Sequence, residues 1–293
     1  MTNLSLISDL PPTVGDCLSL IKYYFRNSGL KRLGNPIHFL CGITGLSACE
    51  VVAYPGIVLD KEQLLLLKKA IIRYLKHESM HRIIGWRSFY NLRLSLSVDT
   101  FEPRPETELL VDVVLSHFFS QLENKSIVKV LDLGTGTGAI CLSLLKECSN
   151  FKGYGVDISS EALKIASNNA IINGVSDRFS AIQSDWFSSV NGVFDIIVSN
   201  PPYISSDVID TLGSEVKYFD PHIALDGGTD GLFHYRVIAD GISKKLTKGG
   251  FCCLEIGYNQ KLDVVRIFED RQLFLLNSFK DYGGNDRALL FYH

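Results

Sequence analysis

The stretch Val130-Leu-Asp-Leu-Gly-Thr-Gly-Thr-Gly138 constrains the possible folds of this chain more than any other. A short apolar run of strand length enters a turn with glycine at alternate positions, Gly134, Gly136 and Gly138, and leaves it as the helical pattern of Ala139 to Lys146. Glycine allows the backbone to approach a bound ligand where any Cβ would collide. Asp157 closes the next apolar segment about 20 residues further on, where an acidic side chain can accept hydrogen bonds from both hydroxyls of a ribose. Strand, glycine loop, helix, strand and acid in that order predict two parallel strands joined by a crossover helix, with a ligand site at their carboxyl ends.

The remainder of the chain extends this pattern. Val128–Leu133, Gly153–Asp157, Phe179–Ser184, Phe194–Ser199, Phe251–Ile256 and Ala288–Tyr292 read as strands separated by helical segments, which predicts an α/β fold with a mostly parallel sheet covered on both faces. Upstream, from about Thr13 to Leu75, apolar residues recur at helical spacing, as in Leu64, Leu65, Leu67, Ile71, Ile72 and Leu75. Between the two patterns Ser88 to Val98 alternates apolar and polar, the period of a half-buried strand or hairpin. We therefore expect a helical domain over residues 1–86, a β-hairpin linker over 87–102 and an α/β domain over 103–293.

Composition removes several function classes. With 46% hydrophobic and 21% charged residues the chain is an ordinary globular one, and 29 Lys plus Arg against 32 Asp plus Glu, a net charge of −3, do not point to a polyanion-binding surface, a local basic patch aside. Stable nucleic-acid binding is not expected. The first residues lack the basic and apolar regions of a secretory signal, and no apolar run approaches the ~20 residues of a membrane span, so a cytoplasmic protein is expected; a monomer is expected too. The seven cysteines are odd in number and form no CxxC pair, so they read as free thiols, with Cys252 and Cys253 filling a buried strand. His77-Glu-Ser-Met-His81 matches the HExxH of zinc peptidases, yet Arg87 stands where the longer pattern needs its third histidine; no metal is expected.

The segment Phe194–Ser199 runs directly into Asn200-Pro-Pro-Tyr203. Two prolines fix φ and remove two backbone donors, so the loop is rigid and rich in acceptors. A planar NH2 group has two hydrogens to donate; the Asn200 side-chain oxygen and the Pro201 carbonyl can accept both, while Tyr203 packs on the planar face. An amide nitrogen is a poor nucleophile because its lone pair is delocalised, so aiming it matters more than deprotonating it.

Dinucleotide sites share the strand, loop and acid layout, so the cofactor has to be identified from motifs. The DxGxGxG run from Asp132 resembles the first motif of class I methyltransferases, which implies that Gly134, Thr135, Gly136, Thr137 and Gly138 cradle S-adenosylmethionine and Asp157 holds its ribose. The same resemblance implies that Asp185 bonds the adenine, that Trp186 packs on it and that Asn200 borders both cofactor and substrate. Asn-Pro-Pro-Tyr loops occur in enzymes that methylate adenine N6 in nucleic acid and in enzymes that methylate protein glutamine. Further motifs, Glu102-Pro-Arg-Pro-Glu-Thr-Glu108, Glu215-Val216, Ala224 to Leu232, Leu254-Glu-Ile-Gly257 and Asp281 to Arg287, resemble the peptide chain release factor glutamine methyltransferases over about residues 83–293.

This resemblance implies a Rossmann-like domain with a seven-stranded, mostly parallel sheet, a small N-terminal all-helical substrate-docking domain and a hairpin linker. It also implies that Asn200, Pro201 and Tyr203, with Pro202, receive the glutamine of the Gly-Gly-Gln motif of class 1 release factors and methylate its N5. An adenine-N6 DNA or RNA methyltransferase is the alternative. Phe101-Glu102 and Asp220-Pro221 depart from the usual residues, and the contributions of Arg104, Glu106 and Glu108 stay open, since acids after Pro105 also suit a plain helix start.

Overall fold

The computed structural model describes residues 10–29, 34–121 and 125–293. The chain forms two compact units, one of the residues up to Gly85 together with Gly213–Phe219, the other of Trp86–Leu212 and Asp220–His293.

In the first unit the described residues before Trp86 form five helices, Val14–Asn27, Pro36–Thr44, Ala48–Ala53, Lys61–Leu75 and Met80–Ile84. Their starts are written locally. Asn35 caps the second helix ahead of Pro36 at its first turn, and Ser47 with Glu50 and Asp60 with Gln63 make reciprocal capping boxes. Phe25 stacks on Tyr74 with ring centroids 3.9 Å apart, and Phe39 meets both edge-on at the centre of the unit's own core. The HExxH-like run does not lie on one helix: the fourth helix ends at Leu75, His77 has φ +70°, and Ser79 caps the helix that carries His81. His77 Nδ1 lies 2.5 Å from Ser214 Oγ within the same unit.

The second unit opens with the antiparallel hairpin β1 (Trp86–Phe89) and β2 (Leu92–Ser95) and continues into a seven-stranded sheet. Its strands are β3 (Val128–Leu133), β4 (Phe151–Asp157), β5 (Phe179–Gln183), β6 (Phe194–Ser199), β7 (Leu246–Glu255), β8 (Phe274–Lys280) and β9 (Asp286–Tyr292), in the order β5-β4-β3-β6-β7-β9-β8. β3 to β7 pair in parallel and β9 is antiparallel to both neighbours. Strand order reverses beside β3, which places a crevice at the carboxyl ends of β3, β4 and β6.

Side-chain alternation along the central strands divides the core into two layers. Val130, Ile196, Val198, Phe251 and Cys253 face the helices Glu108–Gln121 and Ala139–Glu147, whereas Leu131, Ile197, Cys252 and Leu254 face Phe233–Ile242 and Lys261–Glu269. Cys252 and Cys253 thus fill opposite layers as buried thiols whose ionisation burial disfavours. The hairpin is part of this unit: Phe89, Leu92 and Leu94 enter the first layer. The amides of Asn169 and Asn173 substitute for a partner strand, each accepting a backbone N–H from β2 (Ser95 and Arg93, at 2.8 and 3.1 Å) and donating to the same residue's carbonyl.

Besides shifts of one or two residues at an end of β4, β5 and β9, two strands differ from the sequence reading. β8 is the seventh strand that the resemblance implies, but the sequence does not locate it, because an edge strand with mostly exposed residues and a bulge around Leu276 shows no clean alternation. β7 begins at Leu246, five residues before Phe251, since Gly249 at φ +79° forms a bulge inside the strand instead of a turn ahead of it.

Candidate functional site

One cavity in the second unit is lined by Gly134, Thr135, Gly136, Thr137, Asp157, Asp185, Trp186 and Asn200 to Tyr203, so almost every residue singled out from the sequence meets there. Gly138 is the exception. It caps the helix Ala139–Glu147 at φ +83°, and a Cβ on it would lie 2.8 Å from a Leu142 methyl, so it serves helix packing. Gly134 and Gly136, at φ +69° and +54°, have only open space where a Cβ would project. Their backbone is therefore bare toward the cavity, which fits a ligand lying against the loop.

The loop is held from two sides. Asp132, buried at the end of β3, accepts from the Thr135 hydroxyl (2.8 Å) and the Cys141 N–H (3.2 Å), and burial raises its carboxyl to about 7. Asp157, at the end of β4, accepts from Gly136 N–H at 2.9 Å and Ser159 N–H at 3.0 Å. Its pKa is also raised by burial, partly offset by these backbone donors. Each carboxylate oxygen offers about two acceptor directions, so Asp157 retains capacity for a diol.

Beyond β5, Trp186 occupies the left-handed region at φ +46°, a conformation costing of order 1–3 kcal/mol for a bulky residue. It packs 5.1 Å from His234 in the cavity wall, whose Nε2 bonds the Asp226 carbonyl at 3.0 Å and whose pKa burial lowers against the pull of Asp226 and Asp185. An apolar ring, a carboxylate at Asp185 and the diol acceptor at Asp157 together suit a nucleoside better than a pyrophosphate.

The Asn-Pro-Pro-Tyr loop leaves β6 at the opposite wall and is braced from behind. Ile204 N–H donates to Leu225 O, Gly227 N–H to Ile204 O, and Gln260 Nε2 to Tyr203 O at 2.9 Å. Gly227 and Gly231 belong to this brace: a Cβ on either would lie 2.8 or 2.5 Å from Tyr203 backbone atoms, so the turn glycines of Ala224 to Leu232 permit close backbone packing against the loop. In front, Asn200 Nδ2 donates to Thr107 Oγ1 at 3.2 Å, and the Thr107 hydroxyl donates to Glu255 Oε2 at 2.7 Å. Tyr203 Oη donates to Glu255 Oε1 at 3.4 Å, and burial raises the Tyr203 pKa.

Thr107 and Glu255 were missed in the sequence, although both stand in quoted motifs, Glu102 to Glu108 and Leu254 to Gly257. Phe101 and His234 in the cavity wall were missed too. Arg104 and Glu108, on either side of Thr107, make their hydrogen bonds elsewhere. Arg104 donates to Asp220 at 2.5 Å and lies over the Phe101 ring, and Glu108 accepts the Tyr90 N–H at the hairpin turn at 2.7 Å.

The methyltransferase small domain family matches residues 108–214. The release factor glutamine methyltransferase of Agrobacterium fabrum is 47% identical over 252 residues, covering 86% of this chain and 87% of that protein. The proteins of the same name from Caulobacter vibrioides (38% over 247 residues, 84% of each chain) and Buchnera aphidicola subsp. Schizaphis graminum (42% over 274 residues, 90% and 96%) are similar over comparable lengths. Among solved structures, the hMettl16 catalytic domain superposes with a TM-score of 0.53 at 15% identity, covering 82% of this chain and 86% of that one. A methyltransferase from Pyrococcus furiosus gives a TM-score of 0.50 at 19% identity, covering 70% and 90%. At these identities the solved structures speak for the fold alone.

Proposed function

The chain belongs to the family of release factor glutamine methyltransferases and is an S-adenosylmethionine-dependent methyltransferase; from that premise we propose that it methylates the N5 side-chain amide of the Gly-Gly-Gln glutamine of class 1 release factors. The observation that carries this reading is the shared cavity, in which the Asn200 to Tyr203 loop faces the glycine loop and Asp157. When bound, S-adenosylmethionine supplies an electrophilic methyl group. Gly134 to Thr137 would lie against its amino-acid part, Asp157 would accept from its ribose, and Asp185 and Trp186 would hold its adenine.

The acceptor half of the site is built for an NH2 group. The Asn200 Oδ1 and the Pro201 carbonyl accept its two hydrogens, Pro202 keeps the loop rigid, and Tyr203 packs on the amide plane. This arrangement fixes the nitrogen and stabilises the positive charge that grows on it during transfer, so no general base is required; the proton leaves once the nitrogen is acidified. A single side-chain amide offers little binding area, so the affinity for a folded protein has to be gained elsewhere, and the helices before Trp86 are the surface we assign to docking.

Incubation of the enzyme with labelled cofactor and a folded release factor, followed by tandem mass spectrometry, tests the proposal. Label is expected on the Gly-Gly-Gln glutamine, far faster than on a short peptide. Asn200→Ala should lower turnover roughly 10²–10³-fold while cofactor binding survives. Label on adenine N6 of DNA or RNA with none on the release factor overturns the assignment.

A further inference from the structure

We propose that Glu255 and Thr107 form a hydrogen-bond relay that sets the polarity of Asn200, so that its side-chain oxygen, and not its NH2, is presented to the substrate amide. This rests on the glutamine-methylating reading above, since only an NH2 substrate requires an acceptor there. Asparagine is ambiguous by shape, because its amide can be turned over with almost no change in packing while its donor and acceptor exchange places. At this position the ambiguity matters: a turned amide would point two N–H donors at an NH2 group.

The relay removes the ambiguity by counting hydrogens. An ionised carboxylate accepts only, so Thr107 must donate its single hydroxyl hydrogen to Glu255, which it does at 2.7 Å. The Thr107 oxygen is then left as an acceptor, and Asn200 must offer it Nδ2, at 3.2 Å. Oδ1 is consequently on the other side of the amide. The second carboxylate oxygen takes the Tyr203 hydroxyl, so one anion orients both ends of the Asn200 to Tyr203 loop. Thr107 and Glu255 are 4% and 2% exposed, so water does not compete for these bonds. Neither side chain needs to touch the reacting atoms; both are positioning residues.

Protonation of Glu255 supplies the donor that reverses the chain. Burial pushes its carboxyl up to about 7, against the downward pull of Thr107, Arg287 and Tyr203, with Glu106 adding to the rise. Tyr235, which donates to the Glu255 backbone carbonyl, and Cys253 on the same strand are the other titratable groups beside it; burial holds both neutral. Turnover should therefore fall as the pH drops through about 7.

Thr107→Val keeps the shape and deletes the relay, whereas Thr107→Ser restores it. We expect kcat of Thr107→Val to fall about 10–100-fold, the scale for groups that orient a functional side chain, with KM for the release factor and the cofactor affinity nearly unchanged. Thr107→Ser should stay within a few-fold of wild type. Glu255→Gln should be slow and should lose the acidic limb of the kcat profile, which separates Glu255 from Asp132, also raised to about 7. Equal losses in the Val and Ser variants, or the same acidic limb in Glu255→Gln, overturn the relay. If wild type leaves the release factor unmodified, the function reading fails and the relay is still read directly. In that case the side-chain NH2 resonances of Asn200, from protein with isotope-labelled asparagine, should shift in Thr107→Val and not in Thr107→Ser. Identical spectra in wild type and Thr107→Val refute it.

Discussion

Replacing Asp157 by asparagine tests the cofactor half of the site at nearly constant shape. Its two carboxylate oxygens hold Gly136 N–H at 2.9 Å and Ser159 N–H at 3.0 Å. An amide supplies one oxygen for these two donors, so one backbone N–H faces an NH2 group instead of an acceptor. A hydrogen bond to a charged group is worth about 1.5–3 kcal/mol, reduced here because the neutral side chain no longer carries the desolvation cost that raises the Asp157 pKa. The unliganded protein should therefore lose about 1 kcal/mol, which is a fall in Tm of about 2–4 °C for a unit of this size. Cofactor binding loses a charged acceptor for the ribose as well, and Kd should rise roughly 10- to 150-fold, corresponding to about 1.5–3 kcal/mol. Isothermal calorimetry with S-adenosylmethionine, alongside scanning calorimetry of the unliganded protein, reads the two effects separately. Equal Kd values for wild type and Asp157→Asn refute the assignment of Asp157 to the ribose, whatever the Tm does.

Three further outcomes follow from the packing. Gly153→Ala should destabilise the protein by about 1–3 kcal/mol in denaturant unfolding, because the new Cβ would stand 2.4 Å from Cys141 Sγ in the closed layer between β4 and the helix Ala139–Glu147; Cys141→Ala in the same chain should recover most of the loss. Asn169→Leu should cost about 1–3 kcal/mol, since the buried amide bridges Ser95 of the hairpin and the Thr137 carbonyl of the glycine loop, and it should weaken cofactor binding along with stability. Asp132 holds a proton in the folded chain up to about pH 7 that the unfolded chain releases near 3.8, so its contribution to stability is full below about pH 4 and is lost as pH rises toward 7, at up to about 1.4 kcal/mol per pH unit. Urea midpoints between pH 5 and 8 should show that slope flattened in Asp132→Asn, and an unchanged slope removes Asp132 as its source.

The chain itself determined whatever depends on neighbours a few residues apart. The strand to glycine loop to helix order around Val130 to Gly138, the acid at the end of β4 and the rigid Asn200 to Tyr203 loop after β6 are all short-range patterns, as are the caps at Asn35, Ser47 and Asp60. Periodicity and turn chemistry act over a single turn or strand, so they can be read in one dimension. What turned a glycine loop and a proline loop into one cavity was the sheet order, which seats β6 beside β3 although two strands intervene in sequence. The same order joins Thr107 to Glu255 across 148 residues and to Asn200 across 93. Between Glu106 and Glu108 it is the uncharged Thr107 that bonds the loop, a contact that charge patterning along the chain does not mark. Gly213–Phe219, inserted between β6 and β7, belongs to the first unit for a reason of the same kind, since its partner His77 lies 137 residues away from Ser214. A hydrogen bond between distant residues leaves no periodic trace, because each partner needs only one compatible atom and its position comes from the packing of whole elements.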